Sequence, residues 1–331
     1  MSDHSLETDL APAGTVAVVG ASAPLGEIQT EEAQKSSFYE SGLEVEVRSQ
    51  WTYARRRFFR HRLAVASLVV LTVILLAGAF ASWVAPYPYD GIDLDAAGTA
   101  PTLSGGHIFG TDLLGRDYFS RVIYGIRTTE RVAFLVAILA VVIGTGIGMV
   151  AGYYGRWVDN GLMRITDLVL TLPGLAVLLT AAAFLGKGSP YRVAVILALL
   201  FWTTLARLVR GQFLSLREKE YVDAAKAAGA GDLRIMFRHM LPNSLGPIIV
   251  FGTLILGIAI LTEAALSFLG FGIQPPTPAL GKLIADGQDV SQSMWWLVLC
   301  PGLTIVLIVL CVNFVGDGLR DALDPTQRIR A

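Results

Sequence analysis

Few side chains in this sequence are able to do chemistry, and none falls into a catalytic pattern. The four histidines, His4, His61, His107 and His239, are scattered without ligand spacing, which argues against a metal site. Cys300 and Cys311 share one apolar run and stand roughly 16 Å apart along a helix, too far for a disulfide. They read as packing or lipid-facing thiols. The run from Gly144 to Ala151 formally fits G-x-G-x-x-A, but no strand precedes it and it lies inside an apolar stretch. Gly144, Gly148 and Gly152 at four-residue spacing instead make one flat face for close helix packing in lipid. No G-x-x-x-x-G-K-[ST] pattern occurs, so the chain does not cradle a nucleotide by that device. What remains are ionisable groups in or near apolar runs: Asp167, Arg207 and Glu263. Each must face protein or a water-filled cavity, because bare charge in lipid is costly. Glu263, with Ser267 one turn on, is the candidate for a translocation path. A structural ion pair or interhelical hydrogen bond is an equally open role for it. Asp167 is expected to pair with Arg164, one turn earlier.

The elements that must position these groups are apolar helices. The 331 residues are 53% hydrophobic and 16% charged, with mean hydropathy +0.57, too apolar for an ordinary soluble domain. A net charge of −1 offers no footprint for nucleic acid. Six runs are long enough to span: 63–85, 132–153, 162–185, 193–213, 245–270 and 296–316. Pro173, Gly252 and Gly257 mark expected kinks or close contacts within them. With the N-terminus inside, most of the 26 lysines and arginines fall on the cytoplasmic side. That orientation puts both termini and residues 214–244 in the cytoplasm, and residues 86–131 and 271–295 outside. Residues 1–50 are polar, acidic and punctuated by Gly, Ser and Pro, and read as a disordered cytoplasmic extension. Residues 51–62 mix aromatics with arginines, which suits a basic amphipathic helix on the inner leaflet or a plain stop-transfer flank. Residues 63–326 form the six-span domain, and 327–331 a short cytoplasmic tail.

One polar stretch interrupts the apolar pattern between the fourth and fifth spans. Glu218 to Ala228 is rich in helix formers with acids leading, and Gly229 stops it. Asp232 is placed to cap a second helix that Pro242 helps to end, with Leu233, Met236, Phe237, Met240 and Leu241 as its apolar stripe. The spacing predicts a helix–turn–helix with small residues at the bend, where another protein's surface could approach the backbone. The stretch resembles the coupling loop of ABC-importer permeases, whose pattern is E-A-A, three residues, G, nine residues, I, one residue, L-P. Ala224, Ala225, Gly229, Leu241 and Pro242 match it. Asp223 stands for the glutamate and His239 for the isoleucine.

Two segments assigned to the outside carry further pattern. Gly110-Thr-Asp-Leu-Leu-Gly-Arg-Asp-Tyr-Phe-Ser-Arg121 makes a charged turn before an amphipathic helix. Leu266-Ser-Phe-Leu-Gly-Phe-Gly-Ile-Gln-Pro-Pro-Thr-Pro278 ends in a proline-stiffened extended loop. Both resemble the second permease subunit of the dipeptide/oligopeptide/nickel importer family, over about residues 51–326. The resemblance implies an all-α integral membrane protein of six transmembrane helices, with the type I ABC-importer permease fold and a coupling helix between helices 4 and 5. It implies a homologous second permease subunit, two cytoplasmic ATPase subunits and an external solute-binding protein as partners, in the lipid bilayer of a bacterial or archaeal cytoplasmic membrane. ATP and Mg would sit on the ATPases, and this chain would bind no cofactor and have no ATPase site of its own. Tyr221, Asp223, Ala224, Ala225, Gly229, Leu241 and Pro242 would couple to an ATPase. Asp112, Arg116, Asp117, Gln274, Pro275 and Pro276 would dock the binding protein. Peptide import by alternating access is the implied activity, with nickel, glutathione or another small solute as alternatives on the same scaffold. An ion-coupled secondary transporter fits less well, because buried acids are scarce.

Overall fold

A computed structural model describes residues 50–102, 105–185 and 189–323, and the expectations for residues 1–49 and for the tail lie outside that range. Among the described residues the regular structure is helical, and the single bridge pairs Thr111 with Asp117. Helix α1 (Gln50–Arg60) carries the arginine-rich segment. Helix α2 (Arg62–Ala79) starts where His61 accepts a hydrogen bond from the Ala64 N–H at 3.0 Å. A short α3 (Ala81–Val84) follows.

Helix α4 (Tyr118–Tyr154) is 37 residues long, so it rises about 55 Å against the ~30 Å core of a bilayer. The hydropathy pattern starts this span at 132. In the structure its first turns belong to one continuous helix, begun by Asp117, whose carboxylate accepts the Ser120 N–H at 2.8 Å. Gly155, at φ +65°, ends it.

The third expected span is two helices, α5 (Arg156–Thr171) and α6 (Gly174–Leu185), bent by 85°. Pro173 sits at the break, and Leu172 before it is extended (φ −72°, ψ 136°), as a residue preceding proline prefers. Helix α7 (Pro190–Arg217) opens on a proline, where a missing N–H costs nothing. Helix α8 (Glu220–Ala227) is the short helix of the polar stretch.

Helix α9 (Asp232–Phe268) corrects the expectation that Pro242 closes a separate helix. It begins with one α-turn, passes through a π segment (Ile235–Met240) and continues as α-helix from Leu241. Pro242 falls in the first turn after the π segment, a position that tolerates proline. Asp232 makes no capping bond of its own. Helix α10 (Leu280–Gln288) follows the prolines of the loop, so 271–295 is not wholly extended. Helix α11 (Trp296–Leu323) is the last of the described helices. Among the described residues five helices are long and apolar enough to cross a membrane, α2, α4, α7, α9 and α11, and the bent pair α5–α6 makes a sixth if counted as one span.

Helix α4 is the centre of the packing. On one side it meets α7 along the glycine face. A Cβ placed on Gly144 would lie 2.7 Å from the Trp202 carbonyl, one on Gly148 2.5 Å from the Ala206 carbonyl, and one on Gly152 2.5 Å from Phe213 Cβ. Only glycine lets these backbones approach so closely. On its other side α4 meets α9, which packs on α11, and α2 lies against α11 and α4. A Cβ on Gly252 would crowd less, 3.3 Å from the Val141 side chain, and neither it nor Gly257 interrupts α9. Helix α1 folds onto the end of α11 through Phe58, Ala64 and Ala322. Large apolar side chains stay uncovered by the rest of the chain, Trp83, Trp157 and Phe184 at 85–87%. That is expected where the neighbour is lipid or another apolar protein surface rather than water.

Candidate functional site

The polar stretch is held lightly. In α8 only Val222 is buried, and Tyr221, Asp223 and Ala224 are exposed while Ala225 is partly covered. Gly229 closes the helix with both bonds of a Schellman motif. Its N–H donates to the Lys226 carbonyl at 2.9 Å, and the Ala230 N–H donates to the Ala225 carbonyl at 3.0 Å. Gly229 has φ +80°, and nothing lies within 4 Å of where a Cβ would be, so its constraint is conformational and not steric. Asp223 pairs only with Lys226, at 3.0 Å and in the open. Pro242 is exposed and Leu241 half-buried.

Of the apolar stripe after Asp232, Met236 and Met240 are buried, together with Ile235, which the periodicity did not pick out. Leu233 and Phe237 are instead 67% and 54% exposed, which corrects the expected stripe. The π segment shifts the angular register, so the face read from 3.6-residue spacing is split. Asp232 accepts a hydrogen bond from the Tyr153 hydroxyl at 2.7 Å, and Arg217 donates to the Tyr153 carbonyl at 3.2 Å. The foot of α4 is thereby tied to both ends of the polar stretch.

At the opposite end of the bundle, the Gly110–Arg121 turn consumes its own polar groups. Asp112 accepts from the N–H groups of Leu114 (2.9 Å) and Arg116 (3.0 Å), and pairs with the guanidiniums of Arg116 (2.7 Å) and Arg121 (2.5 Å). Asp117 caps α4 and meets His107 Nδ1 at 2.9 Å. Thr111 Oγ1 donates to the Ala96 carbonyl at 2.5 Å, and Ser120 Oγ accepts from the Tyr87 N–H at 3.2 Å. Gly110 and Gly115 both have φ +71°. Asp112 and Asp117, named as docking residues, are 5% and 2% exposed, and their carboxylates hold the turn together. Arg116 keeps a partly open edge. In the second segment Pro275 and Pro276 are exposed, while the Gln274 amide donates to the Gly270 carbonyl at 2.9 Å.

Glu263 and Ser267, named for a translocation path, meet each other inside the bundle. Both are fully buried. Glu263 accepts from Thr129 on α4 at 3.1 Å and from Ser267 at 2.7 Å, and Ser267 accepts from the Ile273 N–H at 3.2 Å. This clasp joins α4, α9 and the proline loop, and it does not line an open path within this chain. Asp167 pairs with Arg207 at 2.6 Å and not with Arg164, because α7 brings a guanidinium to it from across the bundle. Asp159 and Arg210 make a second pair between α5 and α7, this one bidentate, with the Arg210 Nη2 bond at 2.6 Å. Sequence spacing held no signal for it, since the partners lie on different helices. Glu130 went unnamed because the charged first turns of α4 read as an external segment. One of its carboxylate oxygens is buried without a hydrogen-bond partner.

Comparison with known proteins adds a family to this geometry. Residues 144–329 match the family described as binding-protein-dependent transport system inner membrane component. Residues 49–101 match the N-terminal transmembrane domain of oligopeptide transport permease C. The dipeptide transport system permease protein of Alkalihalophilus pseudofirmus is 42% identical over 280 residues, 85% of this chain and 91% of the relative. The oligopeptide transport system permease proteins of Escherichia coli and Haemophilus influenzae are 41% and 38% identical over 286 residues, each 86% of this chain and 94% and 92% of theirs. The matched regions take in the glycine seam, the Schellman-closed loop and the proline segment, and this multi-pass membrane chain belongs to the binding-protein-dependent transport system inner membrane components.

Proposed function

We propose that this chain is one of the two permease subunits of an ATP-driven importer of di- or oligopeptides, supplying about half of the pathway by alternating access. The observation that carries the reading is α8. It is a short helix closed by a glycine at φ +80°, and it stands at the end of an apolar bundle with Ala224 exposed and only Val222 buried. Small side chains let another surface approach the backbone, and Leu233 and Phe237 beside them offer uncovered apolar area. An ATPase groove is the surface that fits, with Tyr221, Asp223, Ala224, Ala225, Gly229, Leu241 and Pro242 as the coupling set. The names of the relatives supply the peptide class. ATP and Mg belong to two partner ATPases, a homologous permease supplies the other half, and a solute-binding protein docks outside against Pro275, Pro276 and the open edge of Arg116. Both termini and the loop lie in the cytoplasm, on the charge rule.

Uptake of labelled peptides and of nickel by cells lacking and regaining this chain tests the reading. Peptide uptake that returns with the chain supports it, and nickel uptake alone would replace the substrate class. The orientation has its own check: a cysteine replacing Asp232 should resist an impermeant thiol reagent in intact cells, and one replacing Pro276 should react.

A further inference from the structure

A cavity of about 780 Å³ opens at the end of the bundle that carries the polar stretch, between the ends of α1, α7, α9 and α11. Its chemistry changes with depth. Arg57, Lys219 and Arg320 stand at the mouth with one acid, Asp317, so the mouth is net positive. The far wall is Leu208, Val250, Phe251 and Leu254. From Pro242 at the mouth to Leu254 the wall of α9 rises about 18 Å, comparable with one leaflet of a ~30 Å hydrocarbon core. Arginines 55, 56, 60 and 62, in and beside α1, add to the positive field around the opening.

We propose that this cavity binds one anionic phospholipid, its phosphate at the mouth against Lys219 and Arg320 and an acyl chain along Val250, Phe251 and Leu254. A basic rim over an apolar slot of leaflet depth matches the two halves of such a lipid. A peptide on its way through would need polar partners along the slot, and beyond Gln212 the lining side chains, Leu208, Val250, Phe251 and Leu254, supply none. The cavity borders the coupling set at Tyr221 and Pro242, but the groups proposed to hold the lipid, Lys219, Arg320, Val250, Phe251 and Leu254, lie outside that set and outside the proline loop. Occupancy would tie α1, the end of α11 and the base of the polar stretch into one lipid-dependent unit.

The test is native mass spectrometry of the full chain, purified with its partner subunits, after exchange into phosphatidylcholine vesicles with and without phosphatidylglycerol. Retention of phosphatidylglycerol over phosphatidylcholine is expected. Lys219→Ala combined with Arg320→Ala should lower it by the order of tenfold, both positions being exposed and outside the packed core. Leu254→Trp, which fills the slot and leaves the cations in place, should lower it as well. Equal retention of the two lipids, or retention unchanged in both variants, overturns the proposal. So does efficient cross-linking of a cysteine replacing Leu254 to the companion permease, which would make the cavity a protein interface.

Discussion

The charged turn (Gly110–Arg121) and the polar stretch (214–244) carry comparably strong sequence patterns and use them in opposite ways. In the turn, nearly every patterned polar group bonds to another part of the same chain: Asp112 to two arginines, Asp117 to His107 and the first turn of α4, Ser120 to Tyr87. In the polar stretch the pattern residues bond to little. Asp223 has one exposed lysine, and Ala224 has open surface. A distinctive motif therefore has two physical meanings. It can specify a shape that needs every member, or it can present a surface that something else must cover. The first kind should fail by unfolding, and the second should leave the fold intact and lose only the partner's response.

The largest expected effect is in the turn. Asp112→Ala leaves Arg121 buried without its carboxylate, a loss of the order of 3–5 kcal/mol for a broken buried pair. The complex should lose yield and heat stability in detergent, and normal stability would remove the turn from the structural class. Next comes Gly148→Leu on the α4–α7 seam, where even a Cβ would crowd the Ala206 carbonyl. Overpacking of this kind costs about 1–3 kcal/mol, and a leucine side chain here belongs at or above the top of that range. Unchanged assembly would mean that the seam tolerates separation.

Gly229→Val sharpens the contrast. A β-branched residue at φ +80° costs about 1–2 kcal/mol, confined to an exposed loop, so folding and membrane insertion should survive. Stimulation of ATP hydrolysis by loaded binding protein should be lost in the reconstituted complex, together with uptake. Full stimulation would reduce α8 to a linker. The smallest effect on stability belongs to Asp223, whose ion pair is exposed and worth no more than about 1 kcal/mol. Asp223→Glu should be nearly neutral in stability and in stimulated ATPase activity. Asp223→Lys should leave stability within ~0.5 kcal/mol and lower the stimulation, which reports a basic surface on the partner.

The sequence was a good guide wherever the physics is local. Hydropathy located the apolar runs. An alanine-rich helix followed by glycine located the Schellman turn at Gly229, and four-residue glycine spacing located the seam with α7. It was a poor guide where tertiary partners decide. The first turns of α4 carry Arg121, Arg127 and Glu130, so hydropathy did not show that they continue the span as one helix, with Arg121 buried against Asp112. Pro173 marked a break but not its 85° angle, which packing sets. Leu233 and Phe237 looked like core because periodicity reports which residues are apolar, not what covers them.

Helix α4 has a mechanical consequence. At its head Asp117 and the Thr129–Glu263 bond bind it to the charged turn and the proline loop, and at its foot Tyr153 holds Asp232 and takes a bond from Arg217. A stiff rod some 55 Å long, gripped at both ends, is a lever. Pivoted at its head, it would carry its foot about 5 Å for a tilt of ~5°. That stroke is comparable with one turn of helix, and no residue between the ends need change its own conformation to deliver it.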